Sequence, residues 1–170
     1  MLKAYEYRIY PNSEQRLYLA KTFGCTRFIY NKMLADRIRL YEENKDLGIK
    51  KVKYPTPAQY KKEFPWLKEV DSLALANAQL NLHKAYKNFF RDKSIGFPKF
   101  KSKKSNYHSY TTNNQKGTVC IENGYIKIPK LKSMIKIKLH RQFNGLIKSC
   151  TVSKHQVINT MFLYWLILKI

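Results

Sequence analysis

Residues 86–104 read Tyr-Lys-Asn-Phe-Phe-Arg-Asp-Lys-Ser-Ile-Gly-Phe-Pro-Lys-Phe-Lys-Ser-Lys-Lys, in which rings and cations alternate and Asp92 is the single acid. Ammonium and guanidinium groups neutralise phosphates, and rings offer flat faces to bases, so this pattern suits a polyanion. The same residues also fit a plainer role, in which Phe89 and Phe90 anchor a core and a solvated basic loop follows. The candidate phosphate contacts here are Lys87, Arg91, Lys99, Lys101, Lys103 and Lys104, with Phe97 and Phe100 read as packing rings. Arg27, Lys32 and Arg37, spaced along a helical pattern nearer the N-terminus, join the set.

The whole chain carries the same bias. Its 170 residues hold 33 Lys and Arg against 11 Asp and Glu, a net charge of +22. A compact body with that excess repels itself and attracts phosphate polymers. DNA and structured RNA are the expected partners, with an anionic membrane surface as the weaker choice. Oligomeric state is not readable from the sequence. Apolar residues make up 44% of the chain, enough for a packed core.

Cys25, Cys120 and Cys150 lie far apart and form no Cys-x-x-Cys, which argues against a cysteine-based zinc site. Their odd number, and the lack of a secretory leader pattern, point to a reducing cytoplasm. The histidines His83, His108, His140 and His155 are scattered, and each reads as a surface or phosphate-contact residue rather than a metal ligand. No local signature assembles a nucleophile with its base. No cofactor is expected.

Residues 3–10 alternate in the period of a strand with a Tyr-rich face. Asn12 or Ser13 then caps a helix over 14–23. Gly24 reads as a turn, and a second, basic helix runs to Tyr41, so residues 15–41 resemble a helix-turn-helix hairpin. Residues 44–53 form a loop. Thr56 caps a short helix over 57–64, and Pro65 breaks it. Asp71 or Ser72 starts the longest helix, which ends near Arg91. Beyond 104 the pattern returns to strands: 107–112, a hairpin at Asn123-Gly124, 134–139 and 147–153. The expected class is α+β, a small antiparallel β-barrel with an inserted helical bundle. The barrel takes residues 1–13 and 105–154, and the helical lobe takes 14–104.

Arg8-Ile9-Tyr10-Pro11-Asn12, Arg27-Phe28-Ile29-Tyr30-Asn31, Trp66-Leu67-Lys68-Glu69-Val70-Asp71, Ala85-Tyr86-Lys87-Asn88-Phe89-Phe90 and Gly96-Phe97-Pro98-Lys99-Phe100-Lys101 occur in that order. Thr112-Asn113-Asn114 and Ile128-Pro129-Lys130-Leu131 follow. The series, over about residues 2–154, resembles the opening of the transposon-encoded OrfB/TnpB proteins. The resemblance implies RNA-guided DNA nucleases with a wedge barrel, an inserted recognition lobe, a RuvC domain and a zinc finger. It places Tyr54, Asn77, Thr112 and Asn113 near the short DNA motif beside the target. Ser72 and Ala76 stand where the resemblance implies a basic and an amide side chain, so the chain departs from the family pattern there and the resemblance does not fix which motif it reads. RuvC chemistry needs three carboxylates on two divalent metals. The family's set falls beyond residue 154, so no nuclease activity is expected here.

Residues 155–170 lose the basic character. Back-translated one frame over, they permit Thr-Pro-Ser-Asp-Lys-Tyr-Tyr-Val-Ser-Ile-Leu-Val, similar to the family's next strand, and so read as an out-of-frame tail. The apolar run is too short to span a membrane. As a fortuitous strand it would leave an exposed apolar edge. Three functions follow from this sequence: a non-catalytic nucleic-acid-binding remnant, a free-standing regulator that binds duplex DNA through the 15–41 hairpin, or a frameshifted product without function.

Overall fold

A computed structural model describes residues 3–48, 52–158 and 161–170. Strand β1 (Ala4–Tyr10) opens the chain, and three helices follow it. Strands β2 (Tyr107–Asn113), β3 (Cys120–Glu122), β4 (Tyr125–Lys127), β5 (Ile135–Lys138), β6 (Ser149–Ile158) and β7 (Met161–Lys169) come after the helices. All seven join one antiparallel sheet in the order β2-β6-β7-β1-β5-β4-β3. The class is therefore α+β. Closure into a barrel does not occur. The edges β2 and β3 do not pair, and a side-chain clasp stands in their place. Asn114 accepts the Val119 N–H at 3.0 Å and donates to the Ile147 carbonyl at 2.9 Å.

Alternation dictates the sheet's inner face. Tyr7 and Ile9 of β1, Ile126 of β4, Ile135 and Ile137 of β5 and Val152 of β6 bury themselves in one core. At the β3–β4 turn, Asn123 and Gly124 both take positive φ (50° and 76°), the backbone that a tight two-residue hairpin demands. The second departure from expectation concerns the tail. Strand β7 does not extend an edge: it lies between β6 and β1 and buries Tyr164, Leu166 and Leu168.

The helical layer holds α1 (Ser13–Asn44), α2 (Pro57–Glu63) and α3 (Ser72–Arg91). Helix α1 starts with a reciprocal cap. The Asn12 side chain accepts the Gln15 N–H, and Gln15 accepts the Asn12 N–H, both at 2.9 Å. The Asp71 side chain caps α3 through the Leu73 N–H. Pro65 tightens the chain into a 3-10 turn (Pro65–Glu69) rather than simply breaking it. The loop expected over 44–53 begins as a 3-10 turn (Lys45–Leu47), and its residues 49–51 lie outside the described residues.

The turn expected at Gly24 is absent, because α1 is one continuous helix. Its buried residues Leu19, Thr22, Phe23, Thr26, Ile29, Tyr30, Met33 and Leu34 keep helical spacing straight through the glycine. Thr22 and Thr26 fit that stripe because their hydroxyls donate to carbonyls one turn back, both at 3.0 Å. The stripe outweighs the roughly 1 kcal/mol that a mid-helix glycine costs. A Cβ at Gly24 would meet no atom within 4 Å. Gly24→Ala is therefore expected to raise stability by about 0.5–1 kcal/mol. A thermal melt checks this, and a loss of stability would contradict the continuous helix.

The two ends of α1 serve different cores. Leu19 and Phe23 pack on the sheet, while Ile29, Met33 and Leu34 pack with Tyr60, Leu67, Leu75 and Leu82 in a helical core. No helix among the described residues is long and apolar enough to cross a membrane.

Candidate nucleic-acid interface

Ala74 and Ala78, and Asn77 and Asn81, are each four residues apart and the two pairs are offset by three, so all four share one face of α3. The two alanines lack the bulk to fill the space between α3 and β2. A cleft of about 340 Å³ remains there, lined also by Phe23, Arg27, Lys101, Ser102, Ser105, His108 and Tyr110.

Two cations flank this cleft, and each has a structural reason to be there. Arg27 comes from α1. Lys101 comes from the basic segment after Pro98, which Asn31 of α1 pins in place. The Asn31 amide accepts the Lys101 N–H at 2.8 Å and donates to the Lys101 carbonyl at 2.9 Å. The Lys101 ammonium lies 4.5 Å from the centre of the Tyr30 ring, and its loss of water pulls its pKa below the ordinary lysine value. No acid pairs with Arg27 or Lys101 among the described residues. The His108 pKa is lowered by burial first, then by the charges of Arg27 and Lys154, so its imidazole is neutral at pH 7. Arg27 and Lys101, the serine hydroxyls and the side-chain amides together present hydrogen-bond donors of the kind that phosphate oxygens and base edges accept.

An amide ridge stands beside the cleft. The Asn77 NH₂ donates to the Leu73 carbonyl at 2.9 Å and to the Asn113 oxygen at 3.1 Å. This commits the N–H groups of Asn77 and the oxygen of Asn113. Among the described residues the Asn77 oxygen and the Asn113 N–H groups have no further side-chain partner, an acceptor next to donors. Thr112 is fully buried, and its hydroxyl donates to the Asp71 carboxylate, which ties β2 to the start of α3.

The structure thus brings Asn77, Thr112 and Asn113 together, while Tyr54 lies against Arg37. The Arg37 neighbour Tyr86 is nine residues, or roughly 13 Å of helix, beyond Asn77. Lys32 is ion-paired with Asp36 at 3.1 Å. Lys87 and Arg91 are exposed on the last turns of α3, and Lys99, Lys103 and Lys104 are exposed along the basic segment. Phe97 packs edge-on against Tyr86 and Phe89, whereas Phe100 is more than half exposed. Sequence reasoning missed Asn81 and Ser105 and gave His108 only the general role of a surface or phosphate-contact residue. Asn81 could have been found, since it continues the face set by Ala74, Asn77 and Ala78. Among the described residues no group of three or more His, Cys, Asp and Glu side chains converges as a metal site.

An OrfB-type family described as a helix-turn-helix domain matches residues 1–46. The helical part of those residues is α1, without a turn at Gly24. A putative RNA-guided DNA endonuclease of Streptomyces pristinaespiralis is 32% identical over 143 residues, covering 82% of this chain and 34% of that protein. The putative RNA-guided DNA endonuclease InsQ of Escherichia coli is 32% identical over 163 residues, 90% of this chain and 38% of InsQ. The virulence protein VsdF of Salmonella dublin is 38% identical over 113 residues, 61% of this chain and 95% of VsdF. The chain therefore spans little more than a third of the length of the two endonuclease relatives.

Proposed function

This chain belongs to the OrfB/TnpB family of transposon-encoded proteins, and on that premise we propose that it binds duplex DNA and structured RNA, mainly through their phosphates. The observation that carries the reading is the cleft between α3 and β2, where Arg27 and Lys101 stand without an acid partner among the described residues. A phosphate entering it replaces missing counter-charge instead of displacing an existing ion pair. Lys99, Lys103, Lys104, Lys87 and Arg91 extend the cationic track. Asn77 and Asn113 supply the base-edge contacts, with Thr112 and Asp71 holding the ridge in position. These residues are assigned no part in bond cleavage. A regulator working through a 15–41 hairpin is not proposed, because α1 has no turn there.

Binding of a fluorescent duplex, measured over a salt series, tests this. Each neutralised phosphate contributes about −0.9 to the slope of log K against log salt, so four or more contacts give roughly −3.5 or steeper. Absent or salt-insensitive binding would overturn the proposal.

A further inference from the structure

A second site lies at the other end of the helical layer. The Arg37 guanidinium is held between two rings, 5.0 Å from the centre of Tyr54 and 5.1 Å from that of Tyr86. Tyr41, Phe90 and Phe97, with Ile38 and Glu42, whose carboxylate pairs with Lys45, complete a pocket of about 400 Å³.

A purely structural stack leaves two features unexplained. First, the Arg37 Nε is buried without a hydrogen-bond partner, and no carboxylate pairs with the guanidinium among the described residues. The buried acid nearby in sequence, Asp36, is already committed to Tyr60, Lys32 and Arg39. Second, large rings beside this charge are exposed: Phe90 is 67% exposed, with Tyr86 stacked on it and the Lys93 ammonium 4.7 Å from its centre, and Phe97 is 44% exposed. Buried donors are normally satisfied, and exposed ring clusters mark a binding surface. A ligand that satisfies both features brings an anionic acceptor and a flat face together.

We propose that the Arg37 cage binds one unpaired nucleotide of a single strand, with its phosphate on the guanidinium and its base against Phe90 and Phe97. A paired base keeps its faces inside the duplex and cannot lie on these rings, so the cage selects unpaired residues. Stacking on a ring face is indifferent to base identity, so this site reads strandedness, not sequence. Tyr54 then orients Arg37 as a ring wall of the cage.

The inference rests on the nucleic-acid reading of the cleft, and its test separates the two. The intact chain is titrated with a blunt duplex and with the same duplex carrying a short unpaired thymidine tail. The cage predicts tighter binding of the tailed probe by about tenfold, within the range for a single stacked base. Phe90→Ala combined with Phe97→Ala is expected to abolish that preference and leave blunt-duplex binding unchanged. Arg37→Lys, which keeps the charge but loses the planar fork, is expected to reduce the preference. Equal binding of both probes by the unaltered chain, or parallel weakening of both by the phenylalanine variant, would overturn the cage. Failure of the cleft reading looks different, because the blunt duplex itself would then not bind.

Discussion

Ending the chain after Val157 is expected to abolish cooperative folding of the sheet. Strand β7 pairs with β6 along one side and β1 along the other, so its removal orphans two ladders at once. It also joins the chain ends, since Lys3 and Ile170 exchange backbone hydrogen bonds of 3.1 and 3.0 Å. Tyr164, Leu166 and Leu168 are 7%, 0% and 0% exposed. Burying a large apolar side chain contributes about 1.5–3 kcal/mol, so the three together supply roughly 5–9 kcal/mol. That is about the whole stability of an ordinary domain. Circular dichroism melts and limited proteolysis of the shortened chain check this. A cooperative melt within a few degrees of the full chain would show that β7 is dispensable. The point substitution Leu166→Ala should cost about 2–5 kcal/mol by the same argument.

The second large effect is expected at Asp36, the buried carboxylate of the helical layer. It accepts the Tyr60 hydroxyl at 2.5 Å and pairs with Lys32 at 3.1 Å and Arg39 at 3.6 Å. Asp36→Ala leaves the Tyr60 hydroxyl buried without its acceptor and Lys32 without its acid partner, while Arg39 keeps Glu43 at 3.0 Å. The expected loss is about 2–4 kcal/mol. Asp36→Asn keeps an acceptor for Tyr60 and should cost less.

The pH dependence of this loss has a definite sign. Burial alone would raise the Asp36 pKa, but the Tyr60 hydroxyl, Lys32 and Arg39 outweigh it, and the carboxyl lies below its ordinary 3.8. A carboxyl depressed in the folded state stabilises the fold above its unfolded pKa, and that contribution is lost as pH falls through the folded value. The stability gap between the unaltered chain and Asp36→Asn should therefore be flat near neutrality and shrink below about pH 4. Denaturant melts across pH measure it. A gap that widens on acidification would contradict the assigned network.

Local signals were legible wherever local chemistry decides the structure. The alternation of β1, the Asn123-Gly124 hairpin and the Asp71 cap of α3 all form as their residue types require. Gly24 misled because a glycine in sequence looks like a stop, whereas the buried stripe that carries α1 past it includes Gln15, Thr22 and Thr26. Polar residues in a core are recognisable only once their partners are known, as for Gln15, which donates to Ser133 and to the Met134 carbonyl far along the chain. The tail's apolar run was visible as a candidate strand, but its position between β6 and β1 is a long-range fact. The cleft was half legible: its cations stood out, while the space between them depends on two alanines facing β2. The cage was not legible, because Arg37, Tyr54, Tyr86 and Phe97 meet only through tertiary packing.

The most direct test of the central claim is the salt slope of duplex binding for two variants of equal charge. Arg27→Glu with Lys101→Glu alters the cleft, and Lys127→Glu with Lys138→Glu alters exposed positions on β4 and β5. Each double reversal lowers the net charge by four, from +22 to +18. If the cleft grips phosphates, the first variant binds at least about tenfold more weakly and its slope falls by roughly 2, while the second stays near the unaltered chain. Equal weakening by both variants would mean that bulk charge alone draws the nucleic acid, and would contradict the site.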